Sequence, residues 1–403
     1  MPPARRWYRI ALVDLLVAAL IGCVLRAIYL VEIPFVRFKP LLHAHSHVAL
    51  LGWVFLGLMI FLLDDAPEAR TMKRRRVMLW CVQSAVLGML FSFPVQGYGP
   101  VPITASTLHM LTSYLLVREA WKATHGWSAE GSRRLARLAL GGYVLSTAGI
   151  WAIAPLLAAG QFGTEVYYWS IQFFLHFQFN GWAWFAALAL WSRWAEQQGS
   201  PTPLDAFTVR LWVLSTVLSF ALAIAWSERH WSIIGVNSVA VLLQLWAGWR
   251  TGQAILRAQA LLVDRAPLWA WRCVTYALIG MGIKVLMQAA VAFPPVAVMA
   301  FTIRNYVIGF IHLNMLGAIT LMLFAMALLR GWFISTAVPV RIGLSLFTSG
   351  LVLTEALLFL QGTLFWAGFG MLPGYHATLL GFSLLLPAGI GVLLAHRGTR
   401  AGP

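Results

Sequence analysis

The chain has 403 residues, of which 60% are hydrophobic and only 10% charged, and its mean hydropathy is +0.78. Soluble globular chains carry about 25% charged residues, so this composition excludes a soluble enzyme and predicts an all-α integral membrane protein. The net charge of +16 does not point to nucleic acid, because the cations fall in short clusters between apolar runs, as they do in cytoplasmic loops of membrane proteins.

A helix needs about 20 apolar residues to cross a hydrocarbon core of ~30 Å. About 12 such runs follow one another: 10–33, 41–63, 77–97, 101–120, 136–159, 166–192, 207–227, 231–250, 268–292, 306–329, 340–361 and 374–395. The opening "MPPARRWYR" runs into the first span with no small-residue cleavage site after it, so no cleaved signal is expected. With the N-terminus inside, 22 of the 29 Lys and Arg residues fall in inner segments. Four, Arg37, Lys39, Arg229 and Arg304, fall outside, and Arg26, Arg272 and Lys284 lie in or beside spans. That asymmetry predicts cytoplasmic termini in a cell's inner membrane. No loop exceeds about twenty residues, so any chemistry is expected within the bilayer. The cysteines Cys23, Cys81 and Cys273 are far apart, and no CxxCH, CxxC or P-loop is present.

The histidines carry the strongest pattern. "HAHSHVALLGW" opens the second span with His43, His45 and His47. Five histidines are followed five positions later by glycine: His47/Gly52, His176/Gly181, His230/Gly235, His312/Gly317 and His376/Gly381. Ten histidines and 34 glycines scattered over 403 positions would give about 0.8 such pairs. His109 stands at the equivalent place in the fourth span, with Tyr114 where the glycine would be. His47, His176 and His312 are 129 and 136 residues apart, which reads as a single membrane domain of three four-helix pseudo-repeats, about 1–135, 136–265 and 266–403. All six histidines then lie on spans running inward from the outer face, at one level; His47 is about 12 Å below Lys39 at 1.5 Å per residue. The glycine, about 140° round the helix from its histidine, is expected to admit a neighbouring helix.

A single intramembrane histidine is most often an interhelical hydrogen-bonding residue. Six at one level, with almost no thiolate or carboxylate beside them, suit haem iron or copper better than calcium, magnesium or zinc. His43 and His47 share a face, His45 points away, and His125 and His396 read as solvated. Arg26 and Lys284 fall near the histidine level and suit the carboxylates of a cofactor; a plain Lys284–Glu355 or Arg26–Glu355 ion pair explains them equally. Asp14 has no evident partner and is expected to reach water.

Twelve spans in three groups of four, with histidines on the second, sixth and tenth, resemble subunit I of the haem–copper oxidases. "HSHVALLGW" is similar to the opening of short oxidase-like membrane proteins, including the NnrS type. The resemblance implies a low-spin b-type haem held by His47 (or His45) and His312, and a copper ligand at His176. It also implies an electron donor such as cytochrome c or quinol, and neighbouring respiratory subunits. The pattern departs from the family in three places. His312-Leu313-Asn314 stands for a His-x-His pair, only His230 lies near the seventh span, and Asn180 rather than Tyr follows His176 by four. A second metal site would therefore be of different design, drawing on His176 with His109, His230 or His376. Three classes compete: a haem-binding redox protein handling electrons, nitric oxide or oxygen; a histidine-lined metal or proton transporter; and a non-catalytic partner that assembles a respiratory oxidase.

Overall fold

The computed structural model describes residues 3–64, 69–200, 203–228 and 230–396. Arg229, and Arg397 and Arg400 from among the 22 inner cations, lie outside them. Every regular element among the described residues is helical. In chain order the long helices are α1 (Pro3–Ala27), α2 (Phe38–Leu63), α3 (Ala69–Gln96), α4 (Pro100–Ala123), α5 (Glu130–Ala158), α6 (165–197), α7 (Ala206–Ile224), α8 (Trp231–Leu262), α9 (Leu268–Val291), α10 (Arg304–Leu329), α11 (Val338–Trp366) and α12 (Tyr375–Ala395). A short helix, Pro294–Thr302, precedes α10.

Ten of these helices are long and apolar enough to cross a membrane, so this is a multi-pass membrane protein. The exceptions are α4 and α6. Both are long, but α4 carries Thr104, Ser106, Thr107, His109, Thr112 and Ser113, and α6 carries Gln172, His176, Gln178 and Asn180. Those polar side chains dilute the apolar run that marks a span.

Local signals set the helix ends. Gly99 and Pro100 start α4, with the proline where a helix needs no amide donor. The Asp205 side chain caps α7 by accepting from the Thr208 amide at 2.7 Å. Gly374, at φ 70°, turns the chain into α12.

The chain forms two compact units, one from residues up to Gly126 together with Ala327 onward, the other Trp127–Met326. In the first, α1 packs on α2 and α12, α3 on α4, and α11 on α12; in the second, α5 packs on α6, α7 on α8, and α9 on α10. Burial is uneven. In α2 and α10, 72% and 67% of the apolar window is buried, against 28% in α5 and α8. Residues 176–192 of α6 are also buried throughout. Helices apolar on every side belong in an interior, and the outward faces of the others, such as Leu87, Phe91 and Val95 of α3 or Leu242 and Trp249 of α8, meet lipid.

Candidate functional site

The three buried helices share a backbone feature. Each is α-helical up to its histidine and then becomes a π-helix: Val48–Phe55 after His47, Phe177–Ala183 after His176, and Leu313–Thr320 after His312. Pairing i with i+5 is rare, and where it occurs it is frequently at functional sites. The glycine of the His-x4-Gly pattern falls inside each π segment, and each segment packs on the preceding helix. A Cβ added to Gly142 of α5 would meet the Gly181 carbonyl carbon at 2.8 Å, and one added to Gly280 of α9 would meet that of Gly317 at 3.1 Å. A Cβ on Gly52 would meet the Asp14 side chain of α1 at 3.0 Å. The helices therefore cross closely at three matching places; the tight position is the pattern glycine itself at Gly52 but the facing Gly142 and Gly280 at the other two, and a Cβ on Gly181 would meet only ordinary contacts from 3.5 Å. The other two copies differ: α8 and α12 carry no π segment, and a Cβ on Gly235 or Gly381 would meet nothing within 4 Å.

The histidines divide the same way in depth. His47 and His109 are nine residues into their helices, His176 eleven and His312 eight, which is about 12–16 Å of rise. His230, by contrast, is the exposed N-cap of α8, its Nδ1 facing Ser232 Oγ at 2.8 Å. His376 is the second residue of α12 and stacks on Tyr29 with ring centroids 4.7 Å apart.

Ring nitrogens decide what each imidazole can bind. His47 Nδ1 donates to the His43 carbonyl at 2.8 Å, and the ring lies against Phe93. His45 Nδ1 donates to the Ala18 carbonyl of α1 at 2.8 Å. In both, Nε2 makes no hydrogen bond among the described residues. An imidazole whose Nδ1 proton is tied to a carbonyl presents an Nε2 lone pair in fixed orientation, the usual arrangement of a ligating histidine.

His109 and His176 are spent on the protein itself. His109 Nε2 donates to Leu51 O, a carbonyl of the first π segment, at 3.3 Å, and Nδ1 faces Ser113 Oγ at 3.2 Å. His176 Nε2 donates to Thr216 O of α7 at 2.8 Å, while the Asn180 amide covers its Nδ1 at 3.3 Å and its carbonyl at 3.0 Å. Lys284 of α9, 1% exposed, donates to Asn180 Oδ1. The spacing of Asn180 four residues after His176 already puts the two on one helix face; Lys284 and Thr216, 104 residues from Asn180 and 40 from His176, carry no such signal in the sequence.

The remaining candidates fall as follows. Electrostatics couples Arg26 to Glu355 of α11 and Tyr375 of α12, Glu355 being the partner that one of the two expected alternatives gave it, and Lys284 takes Asn180 instead. Asp14, expected to reach water, is buried at 4% exposure, and its Oδ1 accepts from Gln83 Nε2 of α3 at 2.9 Å; the packing of α2 and α3 over this stretch of α1 closes it off. His47 and His45 belong to the first unit and His312 to the second. Among the described residues no group of three or more His, Cys, Asp or Glu is arranged to hold a metal ion. With both nitrogens committed, His176 does not fit a copper ion. A haem iron needs only one or two imidazoles, and His47 and His45 fit that role. No known protein family matches the sequence, and no curated protein matches it.

Proposed function

We propose that the protein is a haem-binding membrane redox protein, with a b-type haem ligated by a second-helix histidine, His47 or His45. The observation that carries this reading is the imidazole geometry at the first π junction: Nδ1 held by a backbone carbonyl, Nε2 uncommitted, in a segment whose backbone form recurs after His176 and His312. The resemblance also names His312, at the matching junction within its own unit, as a haem-ligand candidate. Bound haem would supply one-electron chemistry; the chain's part is to fix the imidazole tautomer, exclude water with the apolar π segment, and offer Arg26 to a carboxylate. The resemblance to the oxidase subunit supports twelve spans, cytoplasmic termini, histidines near the outer face, and a cytochrome c or quinol donor. Copper forms no part of this proposal.

The test is the visible spectrum of the purified protein. A Soret band, with sharp α and β bands after dithionite, is expected. Loss of those bands in His47→Ala or His45→Ala, and their retention in His125→Ala, identifies the ligand. A colourless protein from haem-replete cells sinks the reading.

One observation favours the transporter class: the buried Lys284–Asn180–His176–Thr216 chain of the second unit. A proton route there would show as proton uptake into liposomes that Lys284→Met abolishes.

A further inference from the structure

The three π crossings are alike in backbone but not in what fills them. At α5 and α9 the residue opposite the π-segment glycine is itself a glycine, Gly142 or Gly280; at α1 it is Asp14. A carboxyl group thus occupies a slot that the other two repeats leave empty of side chain. Asp14 and Gln83 are 4% and 5% exposed. Gln83 Nε2 donates to Asp14 Oδ1 at 2.9 Å, the one hydrogen bond of either side chain among the described residues. The two oxygens left over, Asp14 Oδ2 and Gln83 Oε1, are both buried and both without a partner. On the other side, Oδ2 lies 3.0 Å from where a Gly52 Cβ would be.

Among the described residues no charged group acts on Asp14. α3 presents the neutral Gln83 and α2 presents Gly52. On α1 itself, Arg9 turns its guanidinium to the Leu394 and His396 carbonyls. An ionised carboxylate that receives a single amide N–H is a poor tenant of a membrane interior. Two acceptors cannot satisfy each other, but one proton changes that. Placed on Asp14 Oδ2, it makes that oxygen a donor to Gln83 Oε1. The acid hydroxyl then gives to the amide carbonyl while the amide N–H gives to the acid carbonyl, and both unpartnered atoms are satisfied by a single proton.

We infer that Asp14 and Gln83 form a proton-binding site within the first unit, a reciprocal acid–amide pair that holds Asp14 as a neutral carboxylic acid against Gly52 of the π segment. The site takes a proton as its ligand, joins α1 to α3, and places an exchangeable proton directly against the helix that carries His47. It stands whether or not the protein binds haem.

Infrared spectroscopy of the full-length protein in detergent at neutral pH tests this. The difference between wild type and Asp14→Asn should contain a protonated-carboxyl C=O band, lost in the variant and shifted down in D2O; the Glu355 contribution is common to both and cancels. Gln83→Leu should keep the band and move it to higher frequency, since its hydrogen bonds are gone. Asp14→Asn should keep the wild-type melting temperature, because an amide pair restores both bonds, whereas Asp14→Ala should melt several degrees lower. A difference spectrum that instead shows a lost carboxylate stretch overturns the proposal. If Asp14→Asn fails to fold, the Gln83→Leu shift decides: an acid band that does not move also overturns it.

Discussion

The His47 and His176 junctions have the same sequence pattern and the same switch from α to π pairing. Both make a close crossing with the preceding helix, yet the two imidazoles are put to different use. His47 ties down one nitrogen and leaves the other uncommitted. His176 gives both to Thr216 and Asn180, and Lys284 completes the chain. The backbone device is therefore a repeated structural solution, and the chemistry is set by the few side chains around it. At His176 the Thr216 carbonyl takes the Nε2 that His47 leaves uncommitted, and Asn180 covers Nδ1, so the imidazole is hydrogen-bonded on both sides.

The largest expected effect separates the two junctions. His45→Ala/His47→Ala together should remove all haem absorbance, while His176→Gln and His109→Gln should keep the low-spin bands in folded protein. Equal loss in both sets would mean that the nitrogen geometry does not distinguish them. Next is the crossing itself. Gly142→Leu or Gly280→Leu must displace backbone, and we expect each to cost about 3 kcal/mol in detergent unfolding. Gly235→Ala, which faces open space, should stay within about 0.5 kcal/mol of wild type. A large loss at Gly235 would put the His230/Gly235 copy of the pattern back among the structural ones.

A smaller effect sharpens the comparison from the His176 side. Asn180→Leu leaves the Lys284 ammonium and His176 Nδ1 without partners and should cost about 2 kcal/mol. The same change at Asn314, whose amide reaches only the Phe310 carbonyl of its own helix, should cost about 1 kcal/mol. The smallest lies outside the spans. Burial opposes ionisation of Asp205, but the Thr208 backbone N–H and hydroxyl and the Arg250 guanidinium hold its carboxyl below the usual range. Its stabilising contribution is therefore present above the unfolded carboxyl's titration and is lost as pH falls through the folded one. Asp205→Ala should cost about 1 kcal/mol or less and flatten the acid limb of the stability curve measured by thermal unfolding.

Composition and hydropathy determined the class by themselves. A chain this poor in charge can satisfy its backbone in lipid only as helices or a closed barrel, and runs of twenty apolar residues choose helices. The glycine spacing also carried real information, because close helix approach needs a missing side chain wherever it occurs. Two things could not be read from the chain. Five His-x4-Gly copies look alike in sequence, but only the packed structure shows which three lie at a close crossing: Gly181 faces Gly142 within a π segment, whereas Gly235 and Gly381 sit in α-helix and face open space. Nor does a histidine in a string reveal how its nitrogens are spent. That depends on Thr216 reaching His176 from 40 residues away and on Leu51 O meeting His109 from 58 away. Asp14 shows the same limit. Its buried state follows from Gln83, 69 residues on, because the environment of a polar group in a membrane is made by other helices and not by its own.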